Sequence, residues 1–547
     1  MEADTLLKWK ASLDNTTQTL LSSLWVGSSH CNWVGITCDK VGSITNLSLT
    51  GYGLRLKGTL HNLNFHSFPN LIELNLHNNS LGPIPASIGR LHNLYRLDLN
   101  RNRLIGSIPK EVGLLRSLLL LDFSGNSLTG LVPTSIGNLC NLVYLYLYDN
   151  YLTGSIPSEI GLLKSLSTLQ FLTNHLTGAI PASIGNLTDL FSVRLEENAI
   201  SGSIPRDIGS MTSLTTLTLS QNMFSGLIPK EVGMLKSLSE LDLSNNTFCG
   251  QIPTSIGNLS NLVHLFLYDN NLSGVIPKEV GMLKSLSKLD LSSNTFSGQI
   301  PTSIGNLTNL TTLSLFDNMF FGLIPKEVGM LKSLSQLYLS NNTFSGQIPT
   351  SIGNLSSLSV LSLRENSLSG PIPPIYSNLT NLQLSNNHLT GPLPENLCLG
   401  GVLTRLAVIS NNLSGPIPSS LRSCKSLIRV RLDGRQEIYQ KLLIPFELGH
   451  ATQLQELDLS SNHLVDEIPM ELGALKMMTR LLLSGPIPNY LGNCSKLINL
   501  NLSKNNLGES IPSSIGYINA LQSLDLSQNS FLEISHNSSE SYSPWKY

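Results

Sequence analysis

The chain has 547 residues, a formal net charge of −2, and only 13% charged residues against a usual share of about 25%. So sparse and balanced a charge leaves no basic stripe for nucleic acid or an anionic membrane. No apolar run reaches the roughly 18 residues needed to span a bilayer.

The first stretch, "MEADTLLKWKASLDN", has no apolar core of a secretion leader. It places Leu6, Trp9 and Leu13 at i, i+3 and i+7, which predicts an amphipathic helix covering one end of the fold. "CNWVGITC" follows, with Cys31 and Cys38 on either side of Trp33. A zinc site would need two further ligands; His30 is the single neighbour, so no metal is expected.

From residue 45 a repeating unit takes over: L-x-x-L-x-L-x-x-N-x-L-x-G-x-I-P-x-x-I-G-x-L-x-x. Its Asn stands at Asn102, Asn126, Asn150, Asn174, Asn198, Asn222, Asn246, Asn270, Asn294, Asn318, Asn342 and Asn366, every step 24. Asn79 precedes this run, and Asn387, Asn411, Asn462, Asn505 and Asn529 follow, for about twenty copies in all. The alternating "LxL" predicts a short strand with leucines inward and the residues between them outward. The Asn amide is expected to bond backbone groups where the chain turns after that strand. Gly in "LxGxIP" permits a φ that other residues resist, and Pro fixes φ. A lone unit cannot offset the entropy of ordering its own residues, so units are stable only when stacked. The fold class that follows is an α/β repeat solenoid. It would be a superhelical arc with parallel strands on the concave face, short 3-10 or irregular segments on the convex side, and a helical N-terminal cap. The expected domains are the cap at 1–44, the solenoid at 45–530, irregular after about 374, and a tail at 531–547 without a C-terminal cap.

Function on such a scaffold belongs to outward strand positions, because packing fixes the rest. Most units read "LDLS" there, and Asp98, Asp122, Asp242 and Asp290 are expected to be ordinary exposed residues. "NLVYLYLYDN" instead turns Tyr144, Tyr146 and Tyr148 outward. "NLVHLFLYDN" gives His264, Phe266, Tyr268 and Asp269. Arg194, Glu196, Phe316, Tyr338 and Arg364 complete a candidate binding face of aromatics flanked by charge. The opposing reading is sporadic aromatics carried along by duplication, since "LYDN" recurs. The double-unit blocks starting at Gly226, Gly274 and Gly322 are nearly identical, so differences such as Phe266 against Ser314 against Ser362 are where selectivity would reside. The lysines of "KEVG" (Lys230, Lys278, Lys326) are expected to form a solvated outer stripe.

The last third departs from the pattern. The step from Asn366 to Asn387 is short, 21 in place of 24. "RVRLDGRQEIYQKLLIPFELG" has Arg435 where Asn belongs, and "MMTRLLLSGPIP" is truncated and lacks its Asn. The sequence breaks off inside a repeat, which leads to the expectation of a fragment or incomplete gene product. Cys398 and Cys424 stand 26 apart, about one coil, and could bridge adjacent coils; Cys140, Cys249 and Cys494 are single.

The unit is the leucine-rich-repeat pattern. "LxGxIPxxIGxLxxL", with "EADTLLKWKASL" and "CNWVGITC" at the start, resembles plant leucine-rich-repeat receptor-like kinases over residues 1 to about 530. The resemblance implies a disulfide between Cys31 and Cys38. It implies an extracellular, glycosylated ectodomain that binds a peptide or protein ligand, with a leucine-rich-repeat co-receptor as a further partner. Sixteen Asn-x-Ser/Thr sequons fit that setting, among them Asn78, Asn186, Asn258, Asn306, Asn354, Asn378 and Asn412. "SLIRVRLDG" carries Arg429 and Arg431 at i and i+2, similar to an Arg-x-Arg pair with which some plant peptide receptors hold a peptide's free C-terminus. The kinase signatures of the family are absent from these residues, and no other catalytic motif or cofactor is expected. The expected location is the outer face of the plasma membrane, or the apoplast if the chain is secreted alone. The alternatives are a secreted inhibitor of a cell-wall hydrolase and a truncated, non-signalling product.

Overall fold

A computed structural model describes residues 1–50, 55–375, 378–398, 400–418, 420–421, 424–432, 446–459, 469–482, 489–503 and 513–527. It divides into two compact units, Met1–Leu310 and Thr311–Tyr547.

The first unit begins with two helices, α1 (Glu2–Ala11) and α2 (Asn15–Leu24). The sequence reading anticipated α1 alone. Leu6 and Trp9 are buried on it as expected, whereas Leu13 lies beyond its end and is buried from the connection. Asp14 caps α2 by accepting from the Thr17 N–H at 2.9 Å. The cap is tied to the repeats by polar contacts as well as apolar ones. Glu2 accepts from Ser43 Oγ and the Ile44 N–H at 2.9 and 3.0 Å, and Trp9 donates to the Thr59 carbonyl at 2.9 Å. Cys31 and Cys38 are disulfide-bonded, with Cα atoms 5.5 Å apart.

Strand Ile36–Cys38 pairs antiparallel with Ile44–Ser48, which opens a parallel sheet. Glu73–Asn75, Arg96–Asp98, Leu120–Asp122, Tyr144–Tyr146 and Thr168–Gln170 follow in that sheet. Ser192–Arg194, Thr216–Thr218, Glu240–Asp242, His264–Phe266 and Lys288–Asp290 extend it. The central Leu or Val of each is buried and its neighbours face out. After the Asn, a second set of short parallel strands forms on another side of the coil, for instance Met223–Gly226, Thr247–Gly250 and Asn271–Gly274. The sequence reading treated that side as irregular. Short 3-10 turns such as Lys230–Met234 close the regular coils, this one entered through Pro229 in extended backbone. Lys230, Lys278 and Lys326 stand exposed at the start of such turns, as expected.

The repeated Asn joins coil to coil. Asn150 is typical. Its Oδ1 accepts from the Leu128 N–H at 3.0 Å in the coil before. Its Nδ2 donates to the carbonyls of Phe123, Leu147 and Tyr148 at 3.0, 3.1 and 3.2 Å. The residue before it, Asp149, has φ 55°, a left-handed turn that recurs at the same place in other coils.

The second unit repeats this construction. Its parallel strands run from Thr312–Ser314 through Gln336–Tyr338, Val360–Ser362, Asn381–Gln383, Arg405–Ala407 and Arg429–Arg431. Glu456–Asp458, Arg480–Leu482, Asn499–Asn501 and Ser523–Asp525 continue it. The shortened repeat does not interrupt the Asn joints, because Asn387 Oδ1 still accepts from the Leu368 N–H at 2.9 Å. Cys398 and Cys424 are bonded across adjacent coils, both buried, with Cα atoms 5.9 Å apart. Cys494 is buried and unpaired, while Cys140 and Cys249 are exposed rather than packed. Arg435, Asn462, Asn505, Asn529 and the tail at 531–547 lie outside the described residues.

Candidate functional site: the outward face of the parallel strands

Strand alternation makes Tyr144 and Tyr146 outward neighbours, and the turn after the strand brings Tyr148 beside them. Tyr144 and Tyr146 stack with ring centroids 6.2 Å apart and planes 24° apart. Tyr148 meets Tyr146 edge-on at 6.4 Å and 73°. Burial raises the Tyr146 phenol pKa, so the ring keeps its proton at neutral pH. Five repeats later the arrangement recurs. His264 and Phe266 stack at 5.7 Å and 21°, and Tyr268 meets Phe266 edge-on at 6.5 Å and 69°. The sequence reading named both groups, and the structure brings each together as a continuous aromatic platform. Asp269 is exposed at the end of the second, in a left-handed turn with φ 51°.

Several charged residues depart from their expected surface roles. Asp98 is 3% exposed and pairs with Arg96 at 3.1 Å, so it is not an ordinary surface residue. Asp122, Asp242 and Asp290 are half-buried, and each accepts from the hydroxyl two residues on (Ser124, Ser244, Ser292) at 2.6 Å. Glu196 is 9% exposed; it takes the Arg194 Nε at 2.8 Å and the Thr218 hydroxyl at 2.7 Å, which makes it an internal brace. Burial raises the Asp122 pKa above 3.8, with the Asp98 charge adding to the shift and bonds from Ser124 and Asn100 opposing it.

In the second unit, Phe316 and Tyr338 are half-buried, and Arg364 is exposed with Glu365 at 3.6 Å. Arg429 and Arg431 do face the same way, but they already hold a carboxylate. Glu456, 6% exposed on the next strand, takes Arg429 Nε at 2.6 Å and Arg431 Nε at 2.8 Å, with Arg480 at 3.7 Å. The expected grip on a ligand's C-terminus is therefore filled from within the chain. Glu456 was missed because its coil is longer than the regular unit, so counting forward from Arg429 by the standard step overlooks the residue that pairs with it. Of the glycan candidates, Asn78, Asn186, Asn258, Asn306, Asn354 and Asn378 are exposed and Asn412 is half-buried. Asn186, Asn258, Asn306 and Asn354 end 3-10 turns, away from the outward strand face.

Comparisons with known proteins fit this geometry. The leucine-rich repeat region model matches residues 126–225 and 221–318, and the leucine rich repeat N-terminal domain model matches residues 1–39. Shorter leucine-rich-repeat matches cover 92–152 and several coils up to 496–518. MDIS1-interacting receptor like kinase 2 of Arabidopsis thaliana is 40% identical over 98 residues, 17% of this chain and 9% of that protein. The chain thus spans about a tenth of the curated relatives it matches. The crystal structure of PEPR1–AtPEP1 superposes with TM-score 0.81 at 33% identity, covering 97% of this chain and 82% of that one. The Arabidopsis receptor kinase HAESA, in complex with the peptide hormone IDA and the co-receptor SERK1, matches with TM-score 0.73 at 33% identity over 96% of this chain and 98% of that one.

Stacked coils, Asn joints from Asn79 to Asn411 and a cysteine-paired cap define a leucine-rich-repeat solenoid. Within that class, the chain belongs to the plant leucine-rich-repeat receptor-like kinase family and matches its ectodomains over nearly its whole length. Among the described residues no helix is long and apolar enough to cross a membrane.

Proposed function

We propose that the chain is the ligand-binding ectodomain of a plant cell-surface receptor, recognising a peptide on the outward face of its parallel strands. The observation that carries this reading is the pair of aromatic platforms, Tyr144–Tyr146–Tyr148 and His264–Phe266–Tyr268. They stand at positions where several other coils hold Ser, Thr or Asp, such as Thr216, Asp242 and Ser292, and they fill no core. Large aromatics on a rigid surface are the residues that binding uses. The fold that carries them is similar to that of HAESA, whose solved complex contains a peptide hormone and a co-receptor. A leucine-rich-repeat co-receptor and an extracellular location belong to the same reading, with glycans on the exposed turn asparagines leaving the strand face clear.

The test is binding of the secreted recombinant chain to a panel of synthetic plant peptides by calorimetry. The reading expects at least one micromolar or tighter peptide, weakened by Tyr146→Ala. A chain that binds no peptide but inhibits a cell-wall hydrolase would sink it in favour of a secreted inhibitor.

A further inference from the structure

We propose that each aromatic platform of the first unit is a subsite for a cationic side chain, and that the ligand is an extended basic peptide with two Arg or Lys residues about seven positions apart. This rests on the reading above and adds the chemistry of the ligand. Phe266 stands in register between Asp242 and Asp290 on the two neighbouring strands. Each aspartate uses Oδ1 to accept from the backbone N–H and hydroxyl of its own Ser244 or Ser292. Among the described residues no donor bonds the Oδ2 of either one. Glu240 and Lys288 flank His264 in the same register, and exposed Asp269 follows Tyr268. Four carboxylates therefore surround three ring faces, against one ammonium. A ring face attracts a cation through its quadrupole, and a guanidinium stacked there can reach a flanking carboxylate at the same time. An anionic ligand would be repelled by this surface.

The tyrosine platform repeats the geometry with fewer carboxylates, since Asn100 Nδ2 bonds the Asp122 Oδ2 at 3.0 Å and Gln170 stands on the other side of Tyr146. Its rings hold the same stacked-then-edge-on geometry, Asp122 lies in register beside Tyr146, and Asp149 follows Tyr148. Five strand steps separate the platforms, and at about 4.8 Å per step they lie roughly 24 Å apart across the sheet. An extended peptide advances about 3.3 Å per residue, so about seven residues span the gap.

The experiment is an array of synthetic peptides of about twelve residues, long enough to cover both platforms. Two positions are set to Arg, Lys, Ser or Glu at varied separation, and the array is probed with the full chain and with Phe266→Ser. Serine occupies the same position in sister coils as Ser314 and Ser362, so this variant keeps the fold. The expected result is preferred binding of paired basic residues near seven apart, weakened about tenfold by Phe266→Ser. Asp242→Asn should weaken the same peptides and flatten their salt dependence. Peptide binding that ignores charge, ignores Phe266, or is displaced by a neutral cell-wall oligosaccharide would overturn the inference while leaving peptide recognition standing. A chain that binds no peptide in the array overturns both.

Discussion

Asn150 shows how much one side chain can carry. Its amide serves one backbone N–H and three carbonyls, two of these four partners lying in the previous coil, with the Tyr148 bond part-buried and the other three buried. Asn150→Ala leaves the buried Leu128 N–H without its acceptor, while the three carbonyls each keep another donor (Asn126 Nδ2, Asn174 Nδ2 and the Gly125 N–H), so a local loss of about 1–3 kcal/mol is expected, read as faster amide exchange through residues 123–152. Asp122 makes a pH prediction. Burial raises its folded pKa above 3.8, so the folded chain keeps the proton to higher pH than the unfolded chain does. Stability from this group is present below the unfolded value and lost as pH rises through the folded one. Melting temperatures of wild type and Asp122→Asn, compared from about pH 3 to pH 7, should diverge in that direction, with the variant showing the shallower fall. A third expectation concerns Glu456. Replacing it by Gln removes the charge that three arginines share, and a loss of about 2–3 kcal/mol in urea denaturation is expected. If Glu456→Gln leaves stability unchanged, the arginines are adequately solvated without it.

At the scale of the element, the Gly of the 3-10 turn sets how closely coils approach. A Cβ on Gly233 would overlap the Ser255 carbonyl and Cβ in the next coil. Gly233→Ala should therefore push neighbouring turns apart, costing about 2 kcal/mol or more and deprotecting amides of residues 228–259 first. What was legible at this scale was whatever repeats. The Leu spacing gave the outward strand, and the Asn, left bonding backbone at a turn, proved to be the joint. The second strand set stayed hidden, because "TFSG" at Thr295–Gly298 is too short to display alternation and its pairing partner lies in another coil. Helix α2 was hidden by "NTTQTLLSSL", whose Ser and Thr favour turns when read alone; its Asp14 cap was the available signal.

At the scale of the whole molecule, the described coils of each unit contact their neighbours, so stability is spread along the coils rather than held in one core. Reduction should act locally: losing the Cys398–Cys424 bond is expected to cost about 2–4 kcal/mol near those coils, visible as a low-temperature transition in calorimetry that is absent under oxidising conditions. The candidate face was legible in its aromatics, since an outward ring departs visibly from a repeated serine. It was not legible in its charges. Whether a carboxylate stands exposed, as with Asp269, or braces its neighbour, as with Glu196, depends on cross-strand partners a full coil away along the chain. The uniform joint between coils has one more consequence. Because the regular coils from Asn102 to Asn366 offer their neighbours the same backbone partners, a gene that gains or loses a whole repeat there through unequal crossing-over yields a chain that still stacks. Such an event between Tyr146 and His264 moves the two platforms by one strand spacing, about 4.8 Å, or less than two residues of extended peptide. The fold thus works as a ruler graduated in coils, and heredity can change the length of signal it measures without redesigning a single contact.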